Sequence, residues 1–269
     1  GRAVVYTRHS VFPPGRLVKA GPGRLVNKLV NERYADRIIA VSPAARDNLT
    51  DAGIRSDLID IVMNGVEPVE RASPVDCAKL RAGLGLEDGE FVLGILARLE
   101  AYKGHAIILE ALKDLTDEGR RVKLLVAGTG SDEESVRDKA AALGLSGSVR
   151  FLGFVDDVAS LLSILDVQLN ASYGTEASSL SLLEGMSLGL PAVVSDYGGN
   201  PYVIEDGVNG LVFKSRDSGG LARCVRRLMD EPDLPDKLKA GALQVFAERF
   251  TGRKFAEGVE ATYRKALKK

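Results

Sequence analysis

Short apolar runs alternate with amphipathic stretches along this chain, beginning at its first residues. Three apolar runs, at 3–7, 37–42 and 58–62, predict β-strands, and helical patterns lie between them. Ser42 and Pro43 are typical of the beginning of a helix, and Gly53 is typical of the residue just beyond its end. Because strands that alternate with helices through short loops form parallel sheets, the pattern predicts an α/β fold.

A turn-rich segment at 64–74 lacks apolar periodicity, so we interpret it as a linker between two domains. Three strands are too few for a complete doubly wound sheet, and residues 1–63 are therefore interpreted as a partial N-terminal Rossmann-like domain. Residues 75–231 predict a self-sufficient Rossmann-like domain. Residues 232–269 are predicted to form a charged helical tail. One interpretation is that this tail crosses back to pack against the N-terminal domain. The strands predicted in the second domain are 91–96, 122–127, 149–154, 167–170, 192–195 and 211–213.

The composition supports a globular protein of two domains. The chain has 269 residues, of which 45% are hydrophobic, and this is enough for a large core. Its cysteines, Cys77 and Cys224, are far apart in sequence, which is consistent with a reducing cytosol. No apolar run approaches the ~18–20 residues that cross a bilayer. These features predict a soluble, cytoplasmic protein.

The net charge of −1 is unevenly distributed, because no acidic residue precedes Glu32. A basic segment can contact anionic lipid head groups, so peripheral contact with the inner membrane face is one interpretation. A solvated helix face is the simpler alternative. Nucleic acid is not expected as a partner, since the segment is short and has few aromatic residues. The basic residues in question are Arg2, Arg8, Arg16, Lys19, Arg24 and Lys28.

Candidate chemistry is expected in the loops after the strands, because open parallel sheets bind ligands beyond the carboxyl ends of their strands. Arg98 and Lys103 follow the strand at 91–96 and precede Gly104 and an amphipathic helix. Arginine can bind phosphate oxygens in a bidentate manner and lysine acts as a point charge, so the pair suits a diphosphate leaving group. Two ordinary surface cations are the alternative.

Glu176 and Glu184 bracket a segment rich in Ser and Leu that predicts a helix at 180–188. Free N–H groups at the beginning of a helix bind anions, and carboxylates accept hydrogen bonds from sugar hydroxyls. This turn therefore suits a nucleotide-sugar. The alternative is that Ser181 and Glu184 form a capping box and that Glu176 is an ordinary loop acid.

Three further features follow predicted strands. The turn that ends at Gly130 precedes acidic residues, so it predicts a tight turn near a base or ribose rather than a pyrophosphate site. Asp157 is interpreted as a helix N-cap in preference to a metal ligand. His9 lies in a loop that a two-lobed enzyme would place on its cleft, where it could hydrogen-bond a sugar or acceptor.

With these residues in view, the chain resembles the retaining glycosyltransferases of the GT-B fold, family 4. The resemblance covers nearly all of the second domain and, more loosely, residues 1–62. The sequence departs from the family pattern at two places. Tyr202 replaces the Glu of the usual Gly-Gly-x-Pro-Glu motif, and the family's N-terminal strand and Gly-rich loop are missing. The blocks that carry the resemblance are 35–42 (ADRIIAVS), 64–66 (NGV), 94–98 (GILAR) with Lys103-Gly104, and the Glu-x7-Glu block from Glu176 to Glu184 with its continuation to Pro191.

The resemblance implies two Rossmann-like domains facing a cleft. It also implies transfer of a hexosyl group from a nucleotide-diphosphate-sugar to a hydroxyl acceptor, with retention of configuration and with no metal or other cofactor. In this family pattern Arg98 and Lys103 bind the donor diphosphate, and backbone groups at Ser179, Leu180 and Ser181 complete the phosphate site. Glu184 accepts from the ribose, Glu176 contacts the transferred sugar, and His9 lies near the reacting sugar.

Family habits suggest a saccharide or lipid-linked acceptor in the synthesis of cell-surface polysaccharide, lipopolysaccharide or glycolipid. A sugar-nucleotide-binding module without transferase activity is the principal alternative. A GT-B phosphorylase or epimerase is a weaker one. The sequence contains no Gly-x-Ser-x-Gly elbow, Walker-type loop or zinc-ligand spacing, which argues against hydrolases and kinases.

Overall fold

The computed structural model describes residues 2–11 and 22–268. Strands in these residues form two sheets whose paired strands all run parallel, which confirms the predicted α/β fold. Arg16 and Lys19 of the predicted basic segment lie outside the described residues. The bounds predicted for the two domains, the linker and the tail remain a prediction.

The first sheet has the order β1-β2-β3, formed by Val5–Arg8, Arg37–Ala40 and Ile59–Ile61. Helix α1 (Pro22–Tyr34) joins β1 to β2, and α2 (Pro43–Asp51) joins β2 to β3. The predicted caps of α2 are confirmed, because the Ser42 side chain accepts from the Ala45 N–H and Gly53 has a φ of 91°. Such a φ favours glycine, which has no Cβ to clash.

The second sheet has six strands in the order β6-β5-β4-β7-β8-β9. Strand order reverses between β4 and β7, so these neighbours form the topological switch point at which such sheets bind ligands. The strands are β4 (Phe91–Leu96), β5 (Val122–Ala127), β6 (Val149–Gly153), β7 (Val167–Asn170), β8 (Ala192–Ser195) and β9 (Gly210–Phe213).

Helices cover both faces of this sheet, because successive strand residues point to opposite sides. Leu93 and Ile95 pack with one group of helices, whereas Val92 packs on the other side. The helices are α3 (Pro74–Gly83), α4 (His105–Asp117), α5 (Glu133–Ala142), α6 (Val158–Ser163), α7 (Leu180–Ser187), α8 (Asn200–Val203), α9 (Ser218–Asp230) and α10 (Leu234–Arg249).

The last helix, α11 (Gly252–Leu267), lies against β2 of the first sheet. Lys265 forms an ion pair with Asp60, and Gly258 faces Val62 closely enough that a Cβ would lie 2.6 Å from its Cγ1. The chain thus crosses twice between the sheets. The two crossings touch, because the Val66 N–H donates to the Phe250 carbonyl at 3.0 Å and the Gly252 N–H donates to the Val66 carbonyl at 2.9 Å.

Two helices were not predicted. Helix α3 begins at Pro74, the last residue of the predicted linker, and its N-cap Ser73 accepts from the Asp76 N–H. Helix α8 is a single turn after Gly199. In the part of the chain that the structure describes, no helix combines the length and apolar character needed to cross a membrane.

Candidate functional site: a cavity at the switch point

A cavity of about 530 Å³ lies at the carboxyl ends of β4 and β7. One side of it comes from the loop after β1 of the first sheet. The other side comes from the second sheet and the beginning of α7. The cavity therefore lies between the two sheets and at the switch point, beyond the carboxyl ends of the central strands. Its lining consists of residues 9–10, 96–98, 103, 170 and 175–181.

The loop that carries Glu176 is held in place by glycines that pack on backbone. Gly104 has a φ of 79°, and a Cβ there would lie 2.1 Å from the Ala171 carbonyl oxygen. A Cβ at Gly199 would lie 1.7 Å from the Ala177 oxygen, and the Gly199 N–H donates to the Glu176 carbonyl at 3.0 Å. The Gly198-Gly199 pair therefore packs directly against the backbone of the Glu176 loop.

Glu176 is buried, with 4% of its surface exposed. Its Oε2 atom accepts hydrogen bonds from Lys103 Nζ at 2.8 Å, Ser172 Oγ at 3.0 Å and Asn170 Nδ2 at 3.3 Å. Burial of a carboxylate is costly unless it is paired and hydrogen-bonded, and this arrangement meets both conditions. Glu176 is therefore a buried, paired acid of its loop, and its contact with a sugar stays a prediction.

Arg98 and Lys103 both line the cavity but differ in their contacts. Lys103 is engaged by Glu176 and is only 18% exposed. Arg98 is exposed, and its Nη2 atom donates to the Tyr102 hydroxyl at 2.6 Å. Among the described residues, Arg98 has no acidic partner, so its guanidinium charge remains available to an anion.

Helix α7 directs its N-terminus into the cavity, which Ser179, Leu180 and Ser181 line. Ser179 is the N-cap by position, but its hydroxyl lies 3.1 Å from that of Ser181 and forms no capping hydrogen bond. Ser181 Oγ donates to the Leu96 carbonyl at 3.1 Å and so ties α7 to the end of β4. The first backbone N–H groups of a helix lack intrahelical acceptors, and no hydrogen bond from the Leu180 or Ser181 N–H forms within residues 2–11 and 22–268, so both groups suit an anion.

The predicted capping box of Ser181 and Glu184 does not form, because the helix begins at Ser179 instead. Glu184 lies one turn further along the same side of α7 as Leu180. Its carboxylate has no hydrogen-bond or ion-pair partner within residues 2–11 and 22–268. Partial burial raises the pKa of the Glu184 carboxyl above its usual range. Glu184 does not line the cavity itself, and it offers an unoccupied acceptor just beyond it.

His9 reaches the same cavity from the first sheet. It directly follows β1, and its side chain is exposed. Two residues later, Val11 pairs with Thr175 in an isolated antiparallel bridge. Thr175 has a φ of 56°, which is uncommon for a β-branched residue. The loop after β1 and the Glu176 loop are thus in direct contact.

Some predicted residues lie away from the cavity lining. Gly130 packs on the loop before Lys103, where a Cβ would lie 2.2 Å from the Leu99 oxygen, and its role toward a nucleotide stays a prediction. Asp157 is the N-cap of α6, as predicted, and accepts from the Ser160 N–H at 3.0 Å. Burial lowers the pKa of His105 to about 4, with a smaller effect of Lys103. No cluster of three or more His, Cys, Asp or Glu side chains in the described residues is placed to hold a metal ion.

Sequence reasoning missed Asn170, Ser172 and Thr175, although the first two directly contact Glu176. Asn170 is the last residue of β7. The strand-end rule that selected Arg98 could have selected Asn170 as well, because both occupy the carboxyl ends of the central strands.

The fold and the cavity define a two-sheet α/β protein with a cavity at the switch point of its larger sheet. The family model described as Glycosyl transferases group 1 matches residues 76–245, and the model Glycosyltransferase Family 4 matches residues 1–70. The chain belongs to the glycosyl transferases group 1 family. This confirms the predicted family 4 resemblance and the GT-B architecture.

Three known proteins illustrate the similarity. The D-inositol 3-phosphate glycosyltransferase of Frankia alni is 32% identical over 259 residues, covering 91% of this chain and 63% of that protein. The alpha-D-kanosaminyltransferase of Streptomyces kanamyceticus is 30% identical over 190 residues, covering 70% of this chain and 48% of that protein. The crystal structure of Anabaena HepE in complex with UDP and glucose has a TM-score of 0.88 at 26% identity, covering 97% of this chain and 71% of that one. The chain thus spans less than two thirds of the length of these curated relatives.

Proposed function

We propose that this protein transfers a sugar from a nucleotide-diphosphate-sugar to a hydroxyl acceptor, with retention of configuration. The observation that carries the proposal is the convergence of Arg98, the N-terminus of α7 and the Glu176 carboxylate on one cavity at the switch point. Anionic phosphates require cationic and N–H donors, whereas sugar hydroxyls require acceptors. A nucleotide-sugar presents both kinds of group on one molecule.

In this proposal the diphosphate lies between Arg98 and the free N–H groups of Leu180 and Ser181. Arg98 has its charge available, and the partial positive charge of the helix N-terminus acts in the same direction. Lys103 contributes at the same place, although its ion pair with Glu176 satisfies part of its charge. These donors would stabilise the charge that develops on the departing diphosphate, so the proposed reaction needs no metal ion.

Glu176 and Glu184 would bind the two hydroxyl-bearing ends of the donor. Glu176 lines the cavity and would accept from the transferred sugar. Glu184 has no partner among the described residues and lies one helical turn after Leu180, where it would accept from the ribose hydroxyls. His9 would approach the reacting sugar from the first sheet, and Gly130 would lie near the base or ribose.

The proposed chemistry proceeds through an oxocarbenium-like transition state. The bond between the anomeric carbon and the diphosphate oxygen breaks, and the acceptor oxygen bonds to that carbon on the same face. The acceptor proton passes to the leaving phosphate oxygen. Arg98 and the α7 N–H groups serve this step because they are already aligned before charge develops.

The names of relatives support a sugar transfer but differ in what is transferred and to what. Anabaena HepE has been solved with UDP and glucose, which supports UDP-glucose as the first donor to try. The name of the D-inositol 3-phosphate glycosyltransferase specifies an acceptor, whereas that of the alpha-D-kanosaminyltransferase specifies a transferred sugar. We propose a saccharide or lipid-linked acceptor used in the synthesis of cell-surface polysaccharide, lipopolysaccharide or glycolipid.

A panel of UDP-, GDP- and ADP-sugars tests the proposal. The correct donor should raise the melting temperature, because a ligand that binds only the folded state stabilises it. Release of the nucleoside diphosphate, by transfer or slow hydrolysis, should then follow in a coupled assay. Binding with no release of any kind would favour the sugar-nucleotide-binding module. The absence of both stabilisation and release would contradict the proposal.

We also propose that the protein works in the cytoplasm and contacts the inner membrane face through α1. Arg24 and Lys28 lie on this helix, and its solvent side carries Leu25, Val26, Leu29 and Val30, each at least half exposed. Cations beside exposed apolar residues suit an anionic lipid surface. Sedimentation with anionic vesicles should therefore exceed that with zwitterionic vesicles, and a Leu29→Ser/Val30→Ser variant should lose the difference. Equal sedimentation of all samples would contradict this contact.

A further inference from the structure

Four polar side chains form a buried network beneath Glu176 at the carboxyl ends of β7 and β8. None of them is more than 8% exposed. None of the four side chains is charged, and none was singled out by the sequence blocks that carry the family resemblance. We call this set the Asn170 network, and it consists of Asn170, Ser172, Ser195 and Asn200.

The hydrogen bonds fix the orientation of the Asn170 amide. Its Nδ2 atom donates to Glu176 Oε2 at 3.3 Å. Its Oδ1 atom accepts from the Ser172 N–H at 3.1 Å and from Asn200 Nδ2 at 3.4 Å. A reversed amide would place its oxygen against the carboxylate and its NH₂ group against two donors. The network therefore permits only the orientation in which Asn170 donates to Glu176.

Asn200 is fixed in turn by the next strand. Its Nδ2 atom also donates to Ser195 Oγ at 3.1 Å, while that hydroxyl donates to the Ser172 carbonyl. Asn200 belongs to the motif Gly198-Gly-Asn-Pro-Tyr202, in which Tyr202 replaces the acid usual in the family. In this chain the motif thus acts on the site through its asparagine, which contacts Asn170 and not the cavity.

We propose that Asn170 and Asn200 are positioning residues that set the hydrogen-bonding capacity of Glu176. Three donors saturate Oε2, while Oε1 accepts no hydrogen bond from any described residue. Of the two Glu176 oxygens, Oε1 is then the one that no described donor occupies, and it is open to a hydroxyl of the transferred sugar. The inference rests on the proposed function, in which Glu176 contacts that sugar.

The substitution Asn170→Asp tests the network, because it keeps the shape of the side chain and removes the NH₂ donor. Titration calorimetry with UDP and with UDP-glucose separates nucleotide binding from sugar binding. At pH 8 the variant should bind UDP as the wild type does, while its affinity for UDP-glucose relative to UDP falls about tenfold, the value of a charge-assisted hydrogen bond.

Acidic solution should restore the lost sugar affinity in this variant. Two adjacent carboxyl groups share a proton at low pH, and the protonated group at position 170 can then donate to Glu176 as the amide did. Lys103 contacts the same carboxylate, and Arg98 and His9 line the same cavity, but these groups are common to both proteins. The difference between variant and wild type at pH 5.5 and pH 8 therefore reports the new carboxyl. A purely structural defect would not reverse with pH.

Asn209→Asp is the matched control. Asn209 is fully buried, and its amide contacts only the Glu205 N–H and the Val203 carbonyl, away from Glu176. This variant should show no pH-dependent change in the ratio of the two affinities. If Asn170→Asp does not fold, Asn200→Ala provides the second test, since it leaves every contact of Glu176 in place and should lower only the UDP-glucose affinity, by a few fold.

The outcomes separate the two proposals. A wild type that binds both ligands, together with variants whose UDP-glucose affinity is unchanged at both pH values, would overturn the role of the network and leave the proposed function standing. A wild type that binds none of the UDP-, GDP- and ADP-sugars of the panel would overturn both, because the network would have no sugar for which to orient a carboxylate.

Discussion

Glu176 and Glu184, the two acids of the Glu-x7-Glu block, lie in opposite surroundings. Glu176 is buried in a loop and accepts three hydrogen bonds on one oxygen. Glu184 lies half-buried on α7, without a partner among the described residues and with a raised pKa. One carboxylate is thus held by the protein through one of its two oxygens, whereas the other has no protein contact among the described residues.

The difference indicates when each carboxylate is stabilised. Glu176 is positioned before any ligand arrives, and Lys103 supplies the compensating charge. Partial burial removes water from the Glu184 carboxylate, and no described residue replaces the lost hydrogen bonds. A ligand hydroxyl can supply one of them. Glu176 therefore offers a ligand an acceptor whose position is already fixed. Glu184 instead gains a hydrogen bond when a ligand binds, and this gain increases the affinity for the ligand.

The largest expected effect concerns Arg98, since it is the cavity cation whose charge no described acid offsets. Arg98→Ala should lower turnover by roughly 10²–10³-fold while leaving the unfolding transition in place. Arg121→Ala is the control, because Arg121 pairs with Glu87 at the opposite end of the sheet. Initial rates and thermal unfolding of the two variants decide the matter. An unchanged rate in Arg98→Ala would remove this residue from the site.

The next largest effect is the difference in unfolding free energy between variants of the two acids. Glu176→Gln should lower the free energy of unfolding by about 2–3 kcal/mol, because it breaks a buried charge-assisted contact with Lys103. Glu184→Gln should cause no loss, since no partner is left behind. Urea denaturation of both variants at pH 7 makes the comparison. Equal losses would show that the two surroundings are not as different as their contacts indicate.

Substitution of Glu184 should instead lower the affinity for the nucleotide. Glu184→Gln is expected to weaken UDP binding about tenfold, through loss of a charge-assisted acceptor for the ribose hydroxyls. A UDP analogue without the 2′ and 3′ hydroxyls supplies the control, and it should bind wild type and variant alike. An equal loss for both ligands would place Glu184 elsewhere on the nucleotide or outside its site.

The smallest effect is the pH dependence that Glu184 contributes to stability. Its pKa is raised in the folded protein from an ordinary value of 4.5, so the folded state holds the proton more tightly than the unfolded state. Stability contributed by this group is therefore present below pH 4.5 and is lost as the pH rises through the folded-state pKa. Glu184→Gln should be more stable than wild type at pH 7 by less than about 1 kcal/mol, since half of the group remains solvated. The gain should vanish at pH 4, and a gain that persisted there would have another cause.

The sequence predicted most of the fold because strands such as 91–96 and 167–170 are short, apolar and bounded by turns. The Ser-Pro signal that located α2 at Ser42 recurs at Ser73, where α3 begins, and it was overlooked because the surrounding residues lack apolar periodicity. Short elements such as α8 carry too few residues to show a period at all.

For the site, the strand-end rule found Arg98, Lys103 and the beginning of α7, since each lies in or at the end of the segment that follows a central strand. It did not reveal that Lys103 pairs with Glu176, because that contact joins residues far apart in sequence and depends on how Gly104 packs against Ala171. The Asn170 network was hidden for the same reason. Its members come from β7, β8 and the loops that follow them, and only the folded chain brings them together.

The structure of a complex with UDP-glucose tests the central claim most directly. The account predicts diphosphate oxygens within about 3 Å of the Arg98 guanidinium and of the Leu180 or Ser181 N–H, with the sugar on Glu176 and the ribose toward Glu184. Density for the nucleotide in any other cavity, or a diphosphate that contacts neither Arg98 nor the beginning of α7, would contradict it.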